Sequence, residues 1–276
     1  MLSNLNGFNP VNDIVPPSEM VVIDRWIMRQ CQLLQSDVIA HYHEYNFLNI
    51  YQKIHNFCVI ELGGFYLDVI KDRQYTTKTN GVARRSTQTA MYEILMILTR
   101  LIAPILSFTA DEIWVNIPGD KEESVFLSNF SDTQSTLEES TDFPDAFWQK
   151  VLAVKTAVNK ELETKRAEKV IGSGLSAEVD LYCDADLAAS LNSLGDELRF
   201  VLIVSRATVH ALENVSSDAV TTDVNGLSLT LLSSSFEKCE RCWHHREDIG
   251  GSADHPTICN RCVENIEGEG EQRPFA

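Results

Sequence analysis

Apolar residues recur every three or four positions through most of the first 170 residues, the period of helices with one buried face. After Pro16-Pro17, Ser18 predicts the cap of a long helix whose stripe runs through Ile23, Ile27, Cys31, Leu34, Val38 and Tyr42. A second stripe, Phe47, Ile50, Ile54, Phe57, Leu62, Phe65, Tyr66 and Val69, runs up to the polar segment 71–75. A third carries Met91, Ile94, Leu95, Leu98, Leu101 and Ile102, and Pro104 stops it because proline lacks a backbone donor. Thr109-Ala110-Asp111-Glu112 has the form of a capping box for a short fourth helix holding Ile113 and Trp114. These elements predict a helical bundle.

Between Gly119 and Asp145 the pattern lapses into Ser, Thr and acidic residues, which predicts a sparsely packed linker. Helical spacing resumes with Phe147, Val151, Val154, Val158 and Leu162. Beyond Gly174 the period changes to two, with Ala177, Val179, Leu181 and Cys183 on one face of a strand and Glu178, Asp180 and Tyr182 on the other. Short helices through 187–194 and 198–204, and strands at 207–212 and 227–231, complete a small α/β unit. The tail from Gly268 reads as loosely ordered. The expectation is a mainly α chain: a helical bundle over 1–170, an α/β connector over 171–235 and a metal-binding end over 236–276.

That end carries the sharpest chemistry. Cys239-Glu240-Arg241-Cys242 and Cys259-Asn260-Arg261-Cys262 are two C-x-x-C turns separated by sixteen residues, the spacing of a four-thiolate zinc site. Four sulfurs close a tetrahedron and leave no position for substrate, so one structural zinc ion is expected and no catalytic one. A pair of disulfides or a redox dithiol is the alternative; disulfides are disfavoured because the N-terminus has no basic and apolar stretch of a secretory signal. His244, His245 and His255 are spare candidate ligands; Cys31, Cys58 and Cys183 read as interior thiols.

Charge limits the partners. A net charge of -17 and a pI near 4.8 argue against binding nucleic acid through a broad basic face, so an RNA partner needs local patches. The fifth helix holds such a patch, including Lys155 and Lys160, although lysines five apart advance about 140° net and do not form one stripe. Arg84 and Arg85 follow a polar loop and suit phosphates, whereas Arg73 reads as a helix-end anchor paired with Asp68 or Asp72. Beside the first metal turn, Arg241, Trp243 and His244 offer a fork of donors, a stacking plane and an imidazole for unpaired bases. Trp26 and Trp114 sit in apolar patterns and read as core.

Several strings resemble the C-terminal part of bacterial isoleucyl-tRNA synthetases. They are Asp24-Arg25-Trp26, the run 65–75 (FYLDVIKDRQY), the run 103–114 (APILSFTADEIW) and Cys239-Glu240-Arg241-Cys242-Trp243-His244. The resemblance covers nearly the whole chain. It implies an anticodon-binding bundle, a small α/β connector and a zinc-bearing end that helps hold the anticodon arm of tRNA(Ile). In that family isoleucine is joined to tRNA through an ATP-derived adenylate. The His-x-Gly-His and Lys-Met-Ser-Lys-Ser signatures of that step are absent here, so this chain alone is expected to be inactive, with ATP used by a separate catalytic half. The resemblance further implies a monomer in the cytoplasm, without membrane attachment. The competing readings are a stand-alone nucleic-acid-binding module, since formamidopyrimidine-DNA glycosylases carry a similar zinc end, and a protein-interaction scaffold stapled by zinc.

Overall fold

The computed structural model describes residues 1–130 and 137–276. The chain is mainly α, with one four-stranded sheet and a cluster of four cysteines. It divides into two compact units, residues 1–75 with 79–140, and residues 76–78 with 141–276.

In the first unit, helix α1 spans Val22–His43 and buries Ile23, Ile27, Cys31 and Val38 along the expected stripe. Its start is not capped by Ser18. The Val21 amide instead donates to the Ser86 hydroxyl at 2.9 Å, so a distant side chain satisfies a donor that the helix leaves open. Helix α2, Phe47–Asn56, runs into a π-helical segment, Phe57–Tyr66, followed by α3, Leu67–Val69, and α4, Lys71–Thr76. One continuous α-helix was the simpler expectation. The buried Phe57 and Leu62 lie five residues apart, too far for one α turn and suited to the wider π turn. Cys58, expected inside, is exposed on this wider turn. Helix α5, Val82–Ile102, ends ahead of Pro104, and α6 spans Ser107–Asn116. Thr109 lies inside α6, so the predicted capping box does not form.

The wider turn brings Tyr66 to α1, where a buried polar cluster ties four elements together. Arg73 on α4 meets the Asp24 carboxylate with both terminal nitrogens, at 2.8 and 2.6 Å, and neither side chain touches solvent. The Tyr66 hydroxyl donates to Asp24 at 2.8 Å and the Ser86 hydroxyl at 2.5 Å, so four donors surround the carboxylate. Arg73 is thus structural as expected, but its partner is Asp24 and not Asp68 or Asp72. Asp68 is taken by Lys71 at 2.6 Å. Burial and the Asp24 charge both push the Tyr66 hydroxyl well above its ordinary pKa, which keeps it a donor.

The acidic stretch is better anchored than its composition suggests. Trp114 Nε1 donates to the Glu122 carbonyl at 2.7 Å, Ser124 donates to Asp111 at 2.7 Å, and Val125 is buried. Past residues 131–136, which lie outside the described residues, the Leu137 amide donates to Gln32 at 2.8 Å. Trp114 is in the core; Trp26 is partly buried, edge-on to Phe65.

The second unit begins with α7, Asp145–Ala167, which buries Phe147, Val151, Val154, Val158 and Leu162. Its apolar stripe faces α9, Leu198–Leu202, and β4, Leu227–Ser233, so this helix groups with the sheet. The division therefore differs from a bundle reaching residue 170 followed by two separate units. β1, Ala177–Cys183, pairs parallel with β2, Arg206–Ala211, and antiparallel with β4; β4 also pairs with β3, Val220–Thr221, giving the order β2-β1-β4-β3. Helix α8, Ala185–Asn192, packs on β1 and β2. At the turn into β1, a Cβ on Gly174 would come within 2.7 Å of the Ile203 carbonyl, so only glycine fits without a backbone shift. The tail is not loose: the Phe275 and Ala276 amides donate to Glu197 at 3.0 and 2.7 Å, and Ala276 is fully buried. No helix among the described residues is long and apolar enough to cross a membrane.

Replacing Asp24 by Asn would leave the Arg73 charge buried without its counter-ion. The expected loss is about 3–5 kcal/mol, read as an earlier denaturant midpoint for the first unit. A change below about 1 kcal/mol would show that the cluster is not what holds these helices.

Candidate metal centre and RNA-facing surface

The two C-x-x-C turns fold toward one point although sixteen residues separate them. The first follows an antiparallel bridge between Lys238 and His245, with the Cys239 amide donating to the His244 carbonyl and the Trp243 amide to the Cys239 carbonyl, both at 2.9 Å. The second opens α10, Asn260–Glu267, where Cys259 is the N-cap and the Asn260 amide is held by Asp248 at 2.9 Å. Cys239 and Cys262 sulfurs lie 3.8 Å apart, Cys242 and Cys259 sulfurs 3.7 Å apart, and all four fall within 4.8 Å of one another.

Those separations fit a metal. With Zn–S bonds of about 2.3 Å, the edge of a regular tetrahedron of sulfurs is about 3.8 Å. The four side chains are buried, with Ile258 in the same cluster and Ile249 and Val263 against it. A divalent ion held by these sulfurs would stabilise all four as thiolates. The donor set is purely thiolate, as a structural zinc site requires. The spare histidines are engaged elsewhere, His245 with the Phe236 carbonyl and His255 with Glu267, each at 2.7 Å.

His244, expected to face RNA, is instead buried. Its ring stands edge-on to Phe200 at 5.4 Å and supports the Cys242 sulfur, a role behind the metal. Its neighbour behaves oppositely. Trp243 is 60% exposed and sits at a φ of 66°, a left-handed conformation that a bulky side chain rarely adopts. The tight turn that aims Cys242 inward carries that strain and turns the indole outward. Lys238 Nζ lies 5.1 Å from the indole centre, adding a cation beside an exposed aromatic plane. Sequence reasoning missed Lys238, whose only signal was its place one residue before Cys239. Arg241 donates to the Thr76 carbonyl, so part of its fork is spent inside the protein.

Among the basic residues of α7, one turns inward. Lys155 is buried, and its ammonium donates to the Val201 carbonyl at 2.8 Å. The apolar face of α7 carries this lysine inward and takes its ammonium off the surface. Lys160 is exposed and paired with Asp223 at 2.8 Å. Arg85 is committed within the first unit, to Gly7 at 3.0 Å, Gln88 at 2.7 Å, Asn80 at 2.8 Å and Asp13 at 3.4 Å. These bonds staple the N-terminal segment to α5. Arg84 is half-buried, its Nε has no hydrogen-bond partner, and burial with the Arg85 charge lowers its pKa.

The chain is thus mainly helical and carries an exposed aromatic beside a four-cysteine cluster that fits a structural zinc ion. The sequence pattern of the anticodon-binding domain of tRNA ligases matches residues 24–181, and that of a zinc finger found in FPG and IleRS matches residues 236–265. The chain belongs to the tRNA ligase family that carries this anticodon-binding domain. Along its whole length it is 55% identical to an isoleucine–tRNA ligase of Pseudomonas putida and 54% identical to those of Pseudomonas entomophila and Pseudomonas aeruginosa. It spans 29% of the length of each. These matches do not favour the stand-alone-module and scaffold readings.

Two substitutions separate the metal from the packing. Cys242→Ser should lower bound zinc, measured by elemental analysis, while most far-UV helical signal remains; unchanged metal content would contradict the four-thiolate site. Lys155→Met should cost about 1–3 kcal/mol of stability by leaving the Val201 carbonyl unpaired, and should leave RNA affinity unaltered.

Proposed function

We propose that this chain is the tRNA-recognition part of an isoleucine–tRNA ligase and holds the anticodon arm of tRNA(Ile). The observation that carries the reading is Trp243, an exposed indole on a strained, metal-anchored turn with Lys238 beside it. An unpaired anticodon base stacks on such a plane, while Lys238 and the remaining donors of Arg241 meet its edge or the adjoining phosphates. Arg84 and Lys160 are the further candidates, each for a backbone phosphate, Lys160 by exchanging Asp223 for RNA. A single zinc ion sets the turn and takes no part in chemistry.

The chemistry belongs to the rest of the ligase: isoleucine and ATP are handled by its catalytic half, with this chain supplying the choice of tRNA. A cytoplasmic monomer suits that role. With a net charge of -17, affinity cannot come from bulk attraction, so it rests on placed contacts and on reading of bases.

The test compares the zinc-loaded chain on tRNA(Ile) and on a tRNA with another anticodon, across a salt series. Preference for tRNA(Ile) that persists at moderate salt is expected, and Trp243→Ala should cost about 1–3 kcal/mol of binding without loss of zinc. Equal binding of both tRNAs would refute the anticodon reading, and an unchanged Trp243→Ala affinity would remove the indole from it.

A further inference from the structure

Four arginines gather around Phe200 in the second unit. The guanidinium carbons of Arg273, Arg199 and Arg261 lie 3.4, 3.9 and 5.0 Å from the ring centre, and with Arg246 they line a cavity of about 420 Å³. Four carboxylates share this lining. Three are held by the chain's own donors: Glu197 by the Phe275 and Ala276 amides, Glu271 by Arg261 at 3.0 Å and Asn265 at 2.9 Å, and Asp248 by the Asn260 amide at 2.9 Å.

Arg261 pairs with Glu271, and Arg273 with Glu197 and Glu271, whereas Arg199 and Arg246 are less fully spent. Arg199 is 4% exposed and gives its Nε to Asp196 at 2.8 Å, yet its buried NH1 nitrogen has no hydrogen-bond partner. Arg246 approaches Asp248 only to 3.7 Å, outside hydrogen-bond range. Four guanidinium groups face four carboxylates in this lining, a formally balanced set inside an acidic chain. Burial lowers the Arg199 pKa; Asp196 opposes this through its charge and hydrogen bond, while the charges of Arg261 and Arg246 add to the lowering. Burial raises the Asp196 pKa, but Arg199, Arg246 and Arg273 hold it below its ordinary value. Arg199 thus keeps one counter-ion in Asp196, while its buried NH1 donor, on a residue that lines the cavity, has no acceptor.

We propose that this cavity is a site for one phosphate group, with Arg246 at its accessible wall and Arg199 behind. Arginine forks match phosphate oxygens, and the nearby carboxylates limit the ligand to low charge, which favours a singly charged phosphodiester over a polyphosphate. An RNA backbone and free inorganic phosphate share this chemistry. The RNA source rests on the function proposed above; the phosphate site itself does not.

Inorganic phosphate and dimethyl phosphate are titrated into the zinc-loaded chain and its Arg246→Gln variant by phosphorus NMR, and tRNA(Ile) is titrated into both across a salt series. Saturable phosphate binding is expected, weakened roughly tenfold in Arg246→Gln and restored in part by Arg246→Lys, with zinc content and helical signal unchanged. An RNA source adds a salt-dependence slope shallower by about one in Arg246→Gln; weakened phosphate binding with unaltered tRNA affinity assigns the site to free phosphate. Absent phosphate binding, or equal binding by both proteins, overturns the proposal. If Trp243→Ala still weakens tRNA binding in that case, the anticodon reading stands without this site.

Discussion

Four sulfurs brought within 4.8 Å of one another cannot all be anions without a cation among them, and the geometry of the second unit's end follows from that demand. The turn that points Cys242 inward buries His244 against Phe200 and leaves Trp243 outside at positive φ. Three consecutive residues thereby acquire three roles: ligand, exposed plane and support. An aromatic on a flexible loop would lose conformational freedom on each binding event, whereas an indole on a metal-fixed turn has lost it in advance.

The first unit solves a different problem with a buried ion pair. Asp24 and Arg73 come from helices nearly fifty residues apart, and the carboxylate accepts four donors, so desolvation is offset by complete pairing. Such a cluster fixes register, because sliding any one helix would strand a charge. The π-helical segment belongs to the same constraint: its wider turns carry the buried face from Phe57 across to Tyr66, where the hydroxyl reaches Asp24.

Periodicity made much of this legible. The stripes of α1, α5 and α7 and the alternation in β1 follow from burial of one face, and matched C-x-x-C turns carry their own geometry. What was illegible depended on distant partners. Nothing local says that Lys155 ends on the Val201 carbonyl, that Arg85 is consumed by Gly7 and Asp13, or that Ala276 is clamped by Glu197. A count of basic residues therefore overstates the positive charge that reaches the surface. The five-residue gap between Phe57 and Leu62 was a visible sign of the π turn, readable only once a wider helix was considered.

The central claim is that the metal holds the surface that reads RNA. Its most direct test is titration of a tRNA(Ile) anticodon stem-loop into the zinc-loaded chain, the chelated chain and the chelated chain with zinc restored, with helical signal followed in each. The account predicts that affinity is lost on chelation and returns with zinc while the helical signal of the first unit persists throughout. Equal affinity in the metal-free chain would contradict it.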